Sequence, residues 1–349
     1  MHTVFITGCS GYVGALLVDH LSRRDDVDLI VGLDKEPLPK LIQENKKLHF
    51  IQKNTADDWE LDVARFSPTF VIHTAWQIRE LYGKKEIQNK WNINGSHQVF
   101  DFAFTNPSIT KLIHFGSVAS YGALSSNGDT YRIAENTPLR KTGYLYADEK
   151  KVSEEMLKNM FDTYGESVNH SPEVFVLRPV SITGPFGRSR TNFSLQGILR
   201  GTAKDTILSR TLSKLLSFMP ITNKWTRKFV HEDDIVGSIE HILFNQSKQD
   251  YEVYNICPLG DVVTGLDMAK MVDKRAINIA PTLIRIVFFF TWHISRGMVP
   301  TPKGSWKTYS YPIVGDGTKL TKETGYQYAY NTKDAFIKDS GWYKGQSSI

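Results

Sequence analysis

Tyr146 and Lys150 stand four residues apart in the stretch GYLYADEKK, and none of the other tyrosines among the 15 has a lysine at that offset. On a helix, residues four apart share a face, so a phenol and an ammonium would project side by side. A phenol titrates near pH 10 in water, and a neighbouring cation favours its ionised form. The expectation is therefore that Lys150 draws Tyr146 towards neutrality as a general acid/base. Upstream, an apolar run from Lys111 to Phe115 leads into Gly116-Ser117-Val118-Ala119-Ser120-Tyr121-Gly122. A hydroxyl just past a strand end, Ser117, would hold a reacting oxygen beside Tyr146. Taken singly, Ser117 also reads as a helix cap and Tyr146 as a packed aromatic.

These side chains need a scaffold, and the first fourteen residues supply its signature. The apolar strand VFIT runs into Gly8-Cys9-Ser10-Gly11-Tyr12-Val13-Gly14, followed by a helix-like stretch. In such a turn Gly8 permits the tight bend, Gly11 lets backbone amides approach a pyrophosphate, and Gly14 lets helix pack closely on strand. The helix N-terminus then faces the anion. A second apolar strand, Val27 to Leu33, ends in Asp34, about 20 residues beyond Gly14, where a carboxylate accepts from ribose hydroxyls and repels a 2′-phosphate. The reading favours NAD over NADP, and Lys150 would also meet the nicotinamide ribose.

Further apolar runs at Leu48–Ile51, Phe70–Ala75, Leu112–Phe115 and Val174–Leu177 alternate with helical stretches at about 12–23, 84–106, 143–165 and 233–245. That rhythm predicts an α/β fold, a Rossmann-type doubly wound parallel sheet covered on both faces. After Pro179 the rhythm breaks. The expected division is a nucleotide-binding domain over 1–178, with 227–258 returning to it, and a smaller substrate-binding region over 179–226 and 259–349. Late segments that cover the carboxyl edge of the sheet would shape the substrate pocket.

The 349 residues are 41% hydrophobic and 23% charged with a net charge of +5, without a dense Lys/Arg block. Nucleic acid and an acidic membrane are therefore not expected as main partners. Two cysteines far apart in sequence, Cys9 and Cys257, indicate neither a disulfide framework nor a thiolate metal site. The ten histidines include no H-x-x-x-H or H-E-x-x-H grouping, and no G-x-S-x-G elbow is present. No metal is expected. A nucleotide-binding strand starting at residue 3 leaves no room for a signal peptide, so a cytoplasmic location is expected. The stretch Ile284–Ile294, with Phe288, Phe289, Phe290 and Trp292, is too short for a bilayer span. It reads first as a buried or partner-facing helix, and otherwise as a greasy lid or a membrane-surface contact.

From residue 2 to about 258 the chain resembles the extended short-chain dehydrogenases/reductases, the NAD-dependent epimerases and dehydratases. TGCSGYVG is similar to that family's glycine motif, Asp34 to its ribose acid, VIHTAW to its fourth-strand motif and NINGSHQVF to its Asn-bearing helix. GSVASYG, YADEK, LRPVSITGP, FVHEDDIV and VYNIC follow in the family's order. The resemblance implies Tyr146 as acid/base, Lys150 as the residue that orients the cofactor, Ser117 as the hydroxyl that binds the reacting oxygen, and Asn92 as a structural or relay asparagine. It further implies cofactor contacts from Gly8, Ser10, Gly11, Tyr12, Val13, Gly14, Asp34, Thr74, Ala75, Trp76 and Pro179, with Asp57 as the adenine-side acid. Substrate contacts would come from Ser117, Val118, Asn192 and Arg227, the last on a substrate phosphate. It also implies a homodimer through a four-helix bundle of the helices at 84–106 and 143–165, with Val99, Phe100, Phe102 and Phe104 as compatible greasy positions.

Departures from the family pattern bear on the substrate. Dehydratase members carry an acidic pair where this chain has Val118 and Ala119, which disfavours a 4,6-dehydratase. The turn before Arg227 is shortened to Ile221-Thr222-Asn223-Lys224-Trp225-Thr226. Three expectations follow: an epimerase-like enzyme on a sugar nucleotide or related polyol, a dehydrogenase or reductase of an apolar, hydroxysteroid-like or lipid-like alcohol, or a non-catalytic NAD-binding protein.

Overall fold

A computed structural model describes residues 1–128, 131–167, 171–190, 218–245 and 249–346. Seven parallel strands make the central sheet: β1 (His2–Thr7), β2 (Val27–Asp34), β3 (Leu48–Gln52), β4 (Phe70–His73), β5 (Lys111–Phe115), β6 (Glu173–Pro179) and β7 (Tyr251–Ile256). Their spatial order is β7-β6-β5-β4-β1-β2-β3. The expected strands are present, and 251–256 does return to the sheet, paired with β6 from Tyr251 opposite Val174 to Ile256 opposite Pro179.

Successive side chains of a strand point to opposite faces, and both faces here are apolar. Val4 and Ile6 join one core with Leu16, Leu17, Val18 and Leu21 of helix α1 (Tyr12–Leu21) and Ile239 and Leu243 of the Glu232–Phe244 helix. Phe5, on the same strand, joins a second core on the other face with Val31, Val71, Phe100, Phe104 and Leu157. A third, smaller core gathers Met219, Ile221, Trp225, Phe229, Val263 and Phe336 from late segments.

The helix expected over 84–106 is three pieces in line: α2 (Lys85–Asn89), a π-helical turn (Lys90–Asn94) and α3 (Gly95–Thr105). π-turns of this kind tend to mark functional positions, and this one contains Asn92. Helix α4 (Leu145–Ser167) packs beside α3. Val99, Phe100, Phe102 and Phe104, read as compatible with a dimer face, are all buried in the core of the single chain, so they have no surface left to pair.

Chain progression reverses between β1 and β4, the switch point where open α/β sheets form their ligand crevice. Gly8 follows β1 there, and Thr74, Ala75 and Trp76 follow β4.

Candidate active site

A cleft of about 1090 Å³ opens at this switch point. Its walls include Gly8, Ser10, Gly11, Tyr12, Val13, Gly14 and Asp34 on one side, and Thr74, Ala75, Trp76, Asn92, Ser117, Val118, Tyr146, Lys150, Pro179 and Arg227 on the others.

The glycine turn is fixed by contacts between backbones. Gly8 has φ +74°, and a Cβ added there would fall 2.6 Å from the Ala75 backbone. At Gly14 a Cβ would fall 2.0 Å from the Gly8 carbonyl oxygen. The turn therefore needs glycine at both places. Asp34 anchors it from β2: one carboxylate oxygen accepts from the Ser10 amide at 2.9 Å and the other from the Glu36 amide at 3.0 Å. Burial raises the Asp34 carboxyl above its ordinary value, and these two amides work against that. A carboxylate has about four acceptor sites, so two amides leave capacity for ribose hydroxyls. The cradle without side chains and the free acceptor capacity fit a dinucleotide.

Ser117 and Tyr146 both line the cleft. Ser117 accepts from the Ala119 amide at 3.1 Å, capping the short turn Val118–Tyr121, and its hydroxyl is also hydrogen-bonded to the Tyr146 phenol. Cap and partner are therefore one residue. The expected effect of Lys150 on Tyr146 is not what the geometry gives. Burial raises the Tyr146 phenol, and it is the Ser117 hydrogen bond that acts the other way. The Lys150 ammonium instead donates to the Phe115 carbonyl at 2.5 Å and lies 3.6 Å from the centre of the Trp76 ring. Burial holds the lysine well below its ordinary value.

Asn92 is buried on the π-turn. Its carbonyl accepts from the Gln77 amide at 2.7 Å, and its NH₂ donates to the Gln77 carbonyl and, at 2.8 Å, to the carboxylate of Glu149. Gln88 donates to the same Glu149 oxygen at 3.1 Å. Glu149, next to Lys150 in sequence, thus links α4 to the loop after β4; its acidity alone did not announce that role. A second buried link joins Arg178 of β6 to Glu154 and Tyr121.

Two expected contacts are tied to the protein's own backbone. Asp57 is exposed and its carboxylate accepts, at 2.8 Å, from the amide of Asn54, which with Thr55 stands at the cleft wall. Arg227 lines the cleft but donates to the backbone carbonyls of Thr226, Tyr311 and Thr308. Burial lowers its guanidinium to about 9. Asn192 falls outside the described residues. Lys35 and Trp91, the neighbours of Asp34 and Asn92, also reach the wall; sequence reading missed Thr308 and Ile313, which come from a segment without a recognisable spacing. His231 accepts from the Asp233 amide at 3.2 Å as the cap of its helix, and no cluster able to hold a metal is found among the described residues.

The family model described as "NAD dependent epimerase/dehydratase family" matches residues 4–257. No curated protein matches the chain. Among solved structures, the Bordetella bronchiseptica enzyme WbmG in complex with NAD superposes with a TM-score of 0.72 at 19% identity, covering 99% of this chain and 95% of that one. UDP-glucose 4-epimerase of Thermotoga maritima, solved with UDP-glucose, gives 0.70 at 17% identity, covering 96% of each. The dTDP-glucose 4,6-dehydratase of Bacillus anthracis, solved with NAD, gives 0.67 at 15%, covering 99% and 97%. At these identities the likeness is one of fold.

Proposed function

The chain belongs to the NAD dependent epimerase/dehydratase family, and we propose that it is an NAD-dependent epimerase of a sugar nucleotide or related polyol. The observation that supports the reading is the convergence of the glycine turn, Ser117, Tyr146 and Lys150 on one cleft. NAD, when bound, takes a hydride from a secondary alcohol carbon and returns it to the resulting ketone. The residues to hold it are Gly8 to Gly14 at the pyrophosphate, Asp34 at the adenosine ribose, Thr74, Ala75, Trp76 and Pro179 along the wall, and Lys150 at the nicotinamide ribose. Residues 1–178 and 227–258 carry this work, and 179–226 with 259–349 frame the substrate.

Ser117 holds the reacting oxygen, and Tyr146 moves its proton. In the first half the phenolate takes the alcohol proton, and the Ser117 hydroxyl stabilises that phenolate against the burial that disfavours it. In the second half the phenol so formed returns the proton to the ketone oxygen. Asn92 and Glu149 keep α4 in register with the loop after β4. Elimination of water needs an acid beside the reacting carbon. The acids of the described cleft wall, Asp34 and Glu36, both sit at the end of β2, and Val118 and Ala119 stand near Ser117. Epimerisation is therefore preferred to 4,6-dehydration.

Arg227 favours one competing reading. With its guanidinium committed to three carbonyls and Val118, Val180, Ile182 and Ile313 around it, the substrate end also suits an apolar alcohol. Incubation with NAD and UDP-glucose or UDP-glucuronate distinguishes the two. Interconversion of the C4 epimers without net NADH is the expected result, and stoichiometric NADH with a hydroxysteroid but no sugar turnover would replace it. Tyr146→Phe is expected to lose about 10²–10⁴-fold in turnover and to keep NAD binding by calorimetry.

A further inference from the structure

The Pro281–Ile294 helix turns an apolar face away from the rest of the fold. Inward, Trp292 is buried beside Tyr82, and Phe288 meets Tyr309 edge-on at 5.2 Å. Outward, Leu283, Val287, Phe290 and Ile294 follow one another at helical spacing with Ile286 and Phe289 beside them. Phe289 is 58% exposed, Phe290 56% and Ile294 82%, and Met298 just beyond is 83% exposed. Soluble monomers rarely leave so contiguous an apolar patch without a partner.

Charge identifies the occupant. From Lys274 to Gly315 the chain has no Asp or Glu, and its charged residues are Lys274, Arg275, Arg285, Arg296, Lys303 and Lys307. Arg275, Arg285, Arg296 and Lys303 are exposed. A second copy of this chain docked face to face would oppose two such basic belts, because a two-fold interface sets like against like. An anionic lipid surface instead pairs each cation with a phosphate. Fourteen residues make a helix of about 21 Å, short of the roughly 30 Å hydrocarbon core. No helix among the described residues is long and apolar enough to cross a membrane. The helix therefore lies along a surface rather than through it.

We propose that the Pro281–Ile294 helix docks in the plane of an anionic bilayer. Leu283, Val287, Phe289, Phe290 and Ile294 enter the acyl boundary, and Arg285, Arg296 and Lys303 sit among the headgroups. This departs from the expectation drawn from net charge alone, since the basic residues are spread evenly in sequence but the segment lacks acids to offset them. The inner face of the helix rests on the segment that carries Thr308, a residue of the cleft wall. Docking thus brings the substrate end of the cleft close to the lipid, whatever the cleft turns over.

Flotation of the full chain with vesicles tests this. Binding is expected to vesicles of equal phosphatidylcholine and phosphatidylglycerol, to weaken as salt is raised, and to be absent with phosphatidylcholine alone. The double change Phe289→Glu with Phe290→Glu should reduce the bound fraction at least about tenfold while the melting temperature and NAD binding stay unchanged. Failure to float with the anionic vesicles overturns the proposal. So does a dimer in size-exclusion with light scattering that the double change turns into a monomer while vesicle binding persists.

Discussion

The two ends of the cleft are built by different means. At the cofactor end, position is enforced backbone against backbone: Gly8 lies against Ala75, Gly14 against the Gly8 carbonyl, and Asp34 binds the Ser10 amide. At the substrate end, side chains from distant segments do the work, as when the Arg227 guanidinium ties together the carbonyls of Thr226, Thr308 and Tyr311. A wall made of backbone demands fixed spacing and particular residue types, so it leaves a motif. One made of side chains reaching across loops tolerates many solutions and leaves none.

The strongest way to break that contrast is Gly8→Ala. The new Cβ would meet the Ala75 backbone at a φ of +74°, which the rest of the turn cannot relax. NAD affinity is expected to fall at least about a hundredfold, near 3 kcal/mol, with a lower melting temperature; calorimetric binding within a few-fold of the parent would show that the turn is not backbone-limited. Arg227→Met probes the other end. It removes one donor from each of three carbonyls, of which Thr226 keeps the Ile313 amide and Thr308 the Trp225 indole N–H, and should cost about 1–3 kcal/mol of stability in urea titrations with NAD affinity unchanged. Intact stability with weakened UDP-sugar binding would instead assign the guanidinium to the ligand.

At neutral pH a third test is silent, and it sharpens the contrast only on acidification. His73 and His114 are buried in the sheet beneath the cofactor end, and burial lowers His73 from 6.5 to about 3 and His114 well below 6.5. In the unfolded chain both take up a proton below about 6.5, while in the folded chain both stay neutral. Stability should therefore be full above pH 6.5 and fall as pH drops, with His73 contributing about 1.4 kcal/mol per pH unit down to about 3 and His114 acting in the same direction. His73→Gln should flatten that acid slope; an unchanged slope would place the sensitive groups elsewhere.

Much of the architecture could be read from the residues alone. Six apolar runs located β1 to β6, and the glycine turn with Asp34 located the crevice, because buried parallel strands and tight turns restrict residue type. Tyr146 and Lys150 were paired on spacing, and Ser117 was set beside them on its position past a strand end. What spacing did not carry was the direction of each polar group. That Lys150 donates to the Phe115 carbonyl instead of facing the phenol depends on a residue 35 positions away. Glu149 looked like any helix-surface acid until Asn92 and Gln88 were found against it. The apolar faces of α3 and of the Pro281–Ile294 helix read alike in sequence, yet one is packed and the other bare. Periodicity says which side of a helix is greasy and nothing about what lies opposite.

The strand order β7-β6-β5-β4-β1-β2-β3 also has a meaning for the ribosome. Of the strands in this sheet the first to be made is an interior one, and each later strand adds at a rim already exposed: two on one flank, then four on the other. Synthesis never has to pry open a finished ladder. The last strand pairs with β6 only after residue 256 has been translated, so until then that rim carries unpaired backbone groups.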